Sequence, residues 1–261
     1  LERSGIATKM LRDMAIVFKN TNSGLSISII IVGALLAAST GIVGATVVTM
    51  GLMSLPAMLK QGYEKDFASG LVASTGTLGQ IIPPSIALVL LGDVMSNAYQ
   101  RAQNNMGLFS QETVSVGDLF LGAIVPGIMI VVGYLIYTIL INQKKEFTPI
   151  EEIEGEANIL KTLVPPATLI FVVLGSIIAG IATPTEAAGV GAFGALIIAG
   201  LNGSANLELL RVTSFKAATV TTMIFSILIG ASIFSLIFRG VGGDLLVDQI
   251  FEMMPGGKYT A

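Results

Sequence analysis

Only 12% of the 261 residues are charged and 53% are hydrophobic, with a mean hydropathy of +0.82. Soluble globular domains carry about 25% charged residues, so this composition excludes that class and predicts an all-α integral membrane protein with several spans. The absence of Cys excludes disulfides and thiolate sites, and the absence of His removes the commonest general base. The net charge of −3, without a basic cluster, gives no sign of a nucleic-acid partner.

The first apolar segment, residues 26–59, contains no charged residue and is too long for one ordinary span. Its middle reads AASTGIVGAT, a run of small and hydroxylated residues in which a helix can open. The segment is therefore either one long tilted span or a re-entrant hairpin. Basic residues precede and follow it: Arg3, Lys9, Arg12, Lys19, Lys60 and Lys65. The positive-inside rule places both groups on the cytoplasmic side, which requires an even number of crossings and favours the hairpin.

The next apolar segment, residues 68–91, is interrupted by Pro83 and Pro84. Non-helical backbone is tolerated at membrane depth only where it is buried in protein or lines a polar cavity. The prolines free carbonyls near Gly79 to Ile82, and hydroxyl groups accompany them at Thr75, Thr77 and Ser85. Such oxygens suit a small cation such as Na⁺, and a helix starting after the prolines would favour a carboxylate. The alternative is a simple proline kink.

Further elements follow in chain order. We predict an outer loop over 93–118, a span over 119–141, a polar linker over 142–162, and apolar helices over 163–182, 186–201 and 217–238. Thr183 or Thr185 can cap the helix that Pro184 helps to start, with Glu186 in its first turn. The alternative role for Glu186 is that of a proton-relay carboxylate inside the membrane.

The same residues argue against a membrane enzyme. A serine hydrolase would need a His or a Lys inside a span as the base, and the spans contain neither. An aspartic dyad would need two facing Asp residues, whereas Asp93 and Asp118 lie at predicted span ends. The chain also starts without Met and shows no signal peptide, so we expect it to be an internal piece of a longer protein.

Three stretches resemble the large membrane subunit of tripartite ATP-independent periplasmic (TRAP) transporters, and the resemblance extends over almost the whole chain in the expected order. The stretches read STGIVGATVVTMGLMSLPAMLKQGYEKDFASGLVASTGTLGQIIPPSIALVLLGD, SVGDLFLGAIVPG and IATPTEAAGVGAFGAL. The resemblance implies a multi-pass permease of the bacterial inner membrane. It implies import of organic acids by a sodium-driven elevator mechanism, with Na⁺ as the coupling ion and no organic cofactor. The implied partners are a small membrane subunit (DctQ-like) and a periplasmic solute-binding protein (DctP-like).

The resemblance also implies a first sodium site, built from a Ser-Gly-Ser hairpin tip and a Gly-x-x-Ile-Pro-Pro break. The matching positions in this sequence are Thr40, Gly41, Gly79, Ile82 and Pro83. The second Ser of the tip falls on Ile42, so one side-chain ligand is missing, and Ser39 is the expected substitute.

The family fold is an inverted repeat, and this gives the expected domain organisation. Residues 1–141 would form the first-repeat transport region, and residues 163–261 would begin the second half and stop before its second Pro-Pro break. The chain would then hold one of two sodium sites, and we expect that it does not transport alone. The alternative functions are an ion-coupled organic-anion transporter that needs no binding protein and, less favoured, a membrane enzyme.

Overall fold

The computed structural model describes residues 5–107, 113–143, 145, 147 and 157–253, and within these residues it contains helices and no strand. The helices of this part of the chain are α1 (Ile6–Val17), α2 (Gly24–Thr40), α3 (Val43–Lys60), α4 (Lys65–Thr77), α5 (Ile86–Asn105), α6 (Val116–Asn142), α7 (Ile159–Thr162), α8 (Val164–Ile178), α9 (Pro184–Leu201), α10 (Leu207–Gly240) and α11 (Gly243–Met253). The predicted all-α class is thereby confirmed. Most of the predicted linker 142–162 lies outside the described residues.

Four helices are long and apolar enough to cross a membrane, namely α3, α6, α9 and α10. The apolar helices α2 and α8 are shorter, with 17 and 15 residues. At about 1.5 Å per residue they extend roughly 26 Å and 22 Å, less than the ~30 Å hydrocarbon core of a bilayer. These lengths fit a membrane protein with several spans.

The first apolar segment forms two helices that pack side by side. α2 and α3 are separated by Gly41 and Ile42 alone, where the sequence predicted an opening. A Cβ on Gly33 would lie 3.4 Å from Met50 Cε, midway along both helices. At the far end the hydroxyl oxygens of Ser26 and Tyr63 lie 3.3 Å apart. The pair is therefore antiparallel, and a single long helix over residues 26–59 is excluded.

α4 packs against both helices of this pair, and glycines at the two contacts, Gly76 in α4 and Gly33 in α2, allow the short distances. A Cβ on Gly76 would lie 2.3 Å from Val47 Cγ2 and 2.9 Å from Val47 Cα. A Cβ on Gly33 would lie 3.0 Å from Thr75 Cβ. Missing side chains therefore permit close backbone approach, a common device where helices meet in membranes. We refer to α2, α3 and α4 together as the hairpin unit.

The end of the hairpin unit away from Gly41 is tied to the chain that follows α6. The ring of Tyr63 stacks on Phe147 with centroids 3.8 Å apart, and Lys145 Nζ lies 2.8 Å from Glu64 Oε1. The Tyr63 side chain is buried, and this burial raises the pKa of its phenol above the ordinary value. The phenol therefore stays neutral at physiological pH and serves as a packing and hydrogen-bonding group.

α1 covers the outer side of α2 with an apolar face and is anchored by one carboxylate. Its buried hydrophobic residues include Ile6, Met10 and Met14. Asp13 Oδ2 accepts hydrogen bonds from Thr162 Oγ1 at 2.8 Å and from the backbone N–H of Asn158 at 3.3 Å. The start of α7 is thus held against α1.

Two predicted boundaries are corrected. α5 does not end at residue 91 but continues to Asn105, so the first part of the predicted loop 93–118 is helical and Asp93 lies inside a helix. Residues 93–105 contain neither Gly nor Pro, and the helix stops only before Gly107, where φ is +71°. α8 ends at Ile178 rather than continuing to residue 182, because Gly180 takes φ +68° and its N–H donates to Ile177 O.

The start of α9 shows the predicted cap. Glu186 Oε2 accepts from the N–H and the hydroxyl of Thr183, each at 2.8 Å, and Glu186 N–H donates back to Thr183 Oγ1 at 3.4 Å. Thr183, not Thr185, is therefore the capping residue, and Glu186 completes a capping box. α8 and α9 pack closely, because a Cβ on Gly194 would lie 2.4 Å from Leu169 Cδ1.

The described residues from 206 to 253 belong to a second compact unit. Within it, α10 is the longest helix of the described chain, with 34 residues. Arg211 and Lys216 lie in its first third, and the remainder up to Phe238 is uncharged. α10 therefore combines a polar start with an apolar stretch long enough to span a bilayer.

The glycine contact between α3 and α4 gives a stability prediction. Gly76→Ala should destabilise the protein by roughly 1–3 kcal/mol, because the new Cβ collides with Val47 backbone and side chain. The control is Gly70→Ala on the same helix, where nothing lies within 4 Å and the change should be neutral or stabilising by up to ~1 kcal/mol. Thermal unfolding of the two purified variants in detergent provides the measurement. Equal melting temperatures would contradict the close packing.

Candidate functional site

The hairpin junction meets the proline-interrupted segment in one place. A Cβ on Gly79 would lie 3.0 Å from Ala37 O at the end of α2. A Cβ on Gly41 would lie 3.3 Å from Ile86 Cγ1 at the start of α5. Two segments that the sequence singled out separately are thus neighbours in space. We call this region, from Ala37 to Ile42 and from Leu78 to Ile86, the junction site.

Gly41 gives the hairpin its reversal. Its φ of +61° lies in the left-handed region, which L-residues other than Gly rarely adopt, and its N–H donates to Ala37 O at 3.1 Å. Ile42 is extended, and the first backbone hydrogen bond of α3 runs from Thr46 N–H to Ile42 O. The Gly41 carbonyl therefore stands outside the hydrogen-bond ladders of both helices.

The prolines create the second break. After α4 the chain forms a 3₁₀ turn, Leu78–Gln80, and the N–H groups of Ile81 and Ile82 both donate to Leu78 O at 3.0 and 2.8 Å. In an α-helix Gly79 O and Gln80 O would accept from residues 83 and 84, which are prolines without an N–H. Ile82 N–H is already used, so Gly79 O has no donor from the backbone that follows it.

Ser85 satisfies one of the two carbonyls that the prolines leave without a donor, and it is the N-cap of the next helix. Its side chain is buried, and its hydroxyl donates to Gln80 O at 2.9 Å. The same oxygen accepts from Leu88 N–H at 3.4 Å as the N-cap of α5. A helix N-terminus thus follows the prolines directly, as the sequence predicted.

The other hydroxyl groups predicted for the site make hydrogen bonds within their own helices. The hydroxyls of Ser39, Thr75 and Thr77 each donate to carbonyls three or four residues earlier in their own helices. Ser39 and Thr77 are exposed, and Thr75 is buried against Gly33. Their oxygen lone pairs remain available, so their proposed roles stay predictions. The side chain of Thr40 lies outside the described part of the chain.

Ile82 and Pro83 take positions that only their backbone can use for coordination. Pro83 is buried, and the Ile82 side chain points toward α6, where a Cβ on Gly127 would lie 3.4 Å from Ile82 Cγ1. Any cation at this site would therefore be held by main-chain oxygen, together with hydroxyl groups nearby. Neutral carbonyl and hydroxyl oxygens are the ligand set that Na⁺ accepts at discontinuous membrane helices.

Sequence reasoning missed Gln80. Its Nε2 donates to Gly41 O at 3.3 Å across 39 positions of sequence, so the side chain joins the proline segment to the hairpin junction. The available signal was a long polar side chain inside an apolar motif, GQIIPPS.

The ends of four helices lie at the junction site, and the carbonyl end of α4 adjoins the turn that contains Gly79. The carbonyl end of α2 carries partial negative charge, whereas the N-termini of α3 and α5 carry partial positive charge. A cation is favoured near the first and an anion near the other two. This charge pattern would suit a cation and a carboxylate at neighbouring positions.

Comparison with known proteins points to one family. A family model described as "Tripartite ATP-independent periplasmic transporter, DctM component" matches residues 1–261. The chain is 32% identical over 246 residues to the C4-dicarboxylate TRAP transporter large permease protein DctM of Rhodobacter capsulatus, covering 93% of this chain and 55% of that protein. The Vibrio cholerae protein of the same description is 34% identical over 202 residues, covering 76% of this chain and 41% of that protein.

A relative with a different printed substrate is also similar. The ectoine TRAP transporter large permease protein TeaC of Halomonas elongata is 27% identical over 190 residues, covering 72% of this chain and 40% of that protein. In each of these comparisons the chain spans about half the length of the curated relative or less.

The conformation of Gly41 gives a second prediction. Gly41→Ala should destabilise the protein by about 1–2 kcal/mol, because alanine is strained at positive φ and its Cβ would press on Ile86. Gly44→Ala, three residues away in α3 with nothing within 4 Å, should not destabilise it. The comparison is made by thermal unfolding of both variants in the same detergent. A tolerated Gly41→Ala would rule out the left-handed junction.

Proposed function

This chain belongs to the DctM component family of tripartite ATP-independent periplasmic transporters, and we propose that it is part of a sodium-driven permease for organic acids. The substrate would be a carboxylate delivered by a periplasmic solute-binding protein. The permease would sit in the bacterial inner membrane as a multi-pass protein together with a small membrane subunit. Two of the most similar relatives are named for C4-dicarboxylates, which supports a carboxylate substrate.

The observation that carries the proposal is the contact between the Gly41 junction and the segment containing Gly79. Both sites supply main-chain carbonyls that stand outside a helical ladder, and both lie at the same end of the hairpin unit. A Na⁺ bound by these oxygens would raise the local positive potential. A carboxylate nearby would then be stabilised by the ion and by the N-termini of α3 and α5. Ion and substrate binding would thereby be coupled.

Close packing of the hairpin unit supports movement as one body. At Gly33, Gly76 and Gly79 the backbone lies so close to its neighbour that an added Cβ would come within 3.0 Å of another atom. In an elevator mechanism, such a body carries the bound ion and substrate across the membrane without dissolving the site. The second sodium site expected from the family resemblance would lie in the part of the transporter that this chain does not span.

A variant at Gly79 tests the ion site. In the complete transporter reconstituted into vesicles, Gly79→Val should raise the Na⁺ concentration for half-maximal uptake by roughly tenfold, equivalent to about 1.4 kcal/mol. The reason is that the side chain would push the Gly79 backbone away from Ala37 O, which is only 3.0 Å from a Cβ. The control is Gly70→Val, where α4 faces open space. An unchanged sodium requirement for Gly79→Val removes Gly79 from the site.

The same vesicles separate the proposal from its rival. Uptake should require both an inward Na⁺ gradient and the purified solute-binding protein. Sodium-driven uptake of the free acid without the binding protein would favour an ion-coupled organic-anion transporter of the simpler type. Uptake that ignores Na⁺ would refute the proposed coupling.

A further inference from the structure

The side chain of Gln80 makes a hydrogen bond across the junction site, from one of its two segments to the other. Its Nε2 donates to Gly41 O at 3.3 Å, and this carbonyl lies outside the ladders of α2 and α3. The side chain is half-buried, so the bond is shielded from most of the competing water. The Gly41 carbonyl, which the proposed function assigns to the cation, therefore has an amide as its neighbour.

The backbone of Gln80 is fixed while its side chain can turn. Gln80 ends the 3₁₀ turn, and its carbonyl is held by the buried hydroxyl of Ser85 at 2.9 Å. Ser85 in turn caps α5. A rotation of the terminal amide about χ3 consequently needs no movement of the main chain, since this torsion is broad and roughly two-fold.

The amide of Gln80 can make a favourable interaction at this place both without and with a bound cation. Toward a bare carbonyl it must present N–H, because two acceptor oxygens repel each other. Toward a carbonyl that binds a cation, the N–H would face positive charge, whereas the amide oxygen would supply another neutral ligand. The two orientations exchange by a half-turn of one planar group.

We propose that Gln80 is an additional residue of the cation site, holding Gly41 O through Nε2 when no cation is bound and coordinating the cation through Oε1 when one is. This inference rests on the proposed sodium coupling. Gln80 connects the two segments of the junction site by a side-chain hydrogen bond, whereas Ile86 makes only an apolar contact with Gly41. Ile42 stands where the family resemblance implies a serine ligand, so this chain would need a further oxygen ligand from another residue.

Two substitutions separate the ligand role from a purely structural hydrogen bond. Gln80→Leu removes both the donor and the oxygen, while Gln80→Glu removes the donor and keeps an oxygen of stronger charge. A ligand role predicts opposite effects on Na⁺ affinity for the two variants. If Gln80 served only as a hydrogen-bond donor to Gly41 O, both variants would lose stability. The Na⁺ concentration needed for stabilisation would then be the same in the two variants.

The experiment measures the melting temperature of the complete permease in detergent while NaCl replaces choline chloride at constant ionic strength. The midpoint of the Na⁺-induced stabilisation should rise by roughly threefold or more in Gln80→Leu and fall below the wild-type value in Gln80→Glu. The matched control is Gln61→Leu, a half-buried glutamine at the opposite end of the hairpin unit, which should keep the wild-type midpoint.

Each outcome decides the question. The ligand role would be overturned if both Gln80 variants kept the wild-type Na⁺ midpoint. It would also be overturned if Gln80→Glu needed a higher Na⁺ concentration than the wild type to reach its midpoint. If Gln80→Leu aggregates, the Gln80→Glu midpoint decides alone, since a lower value supports coordination and an equal or higher value refutes it. If the unsubstituted permease shows no stabilisation by Na⁺ relative to choline, the proposed sodium coupling itself fails, and the inference fails with it.

Discussion

Close backbone approach at a few glycines is the constraint on which the rest of the structure depends. Gly33 and Gly76 let α4 lie against both helices of the hairpin, and Gly79 brings the next turn to Ala37 O. A side chain at any of these positions would move the proline segment away from Gly41. In a bilayer, helices gain little from hydrophobic burial against each other, so such contacts carry much of the association energy. The junction site exists because this packing holds two broken backbones together.

The two ends of the hairpin unit are stabilised by different chemistry. At the Tyr63 end, side chains make the contacts, through ring stacking on Phe147 and the ion pair of Glu64 with Lys145. At the junction end, the main chain supplies the polar groups. Ser85 donates to Gln80 O, which the prolines leave without a helical donor, and the Gln80 side chain donates to Gly41 O at the hairpin reversal. The first end is suited to anchoring, and the second leaves main-chain oxygen available to a ligand.

Local sequence predicted the local features of this fold. The small-residue run around Gly41 and the Pro83–Pro84 pair indicated both breaks, and Thr183 with Glu186 indicated the cap of α9, because each effect acts within a few residues. The meeting of the two breaks was implied by family resemblance only. The contact of Gln80 with Gly41 depends on packing across 39 positions, which no local pattern encodes. The extension of α5 to Asn105 was missed because the polar side chains of residues 93–105 suggested a loop. None of these residues is Gly or Pro, so the sequence is compatible with a helix.

The length of α10 and the position of its charges bear on how this helix would adjust to bilayers of different thickness. Its uncharged stretch over 217–238, at 1.5 Å per residue, measures about 33 Å, close to the hydrocarbon thickness of a typical membrane. The ten residues before it, with Arg211 and Lys216, extend the same rigid rod by about 15 Å. Because the charged side chains resist entering the hydrocarbon, a thicker or thinner bilayer would change the tilt of this helix before it changed its depth.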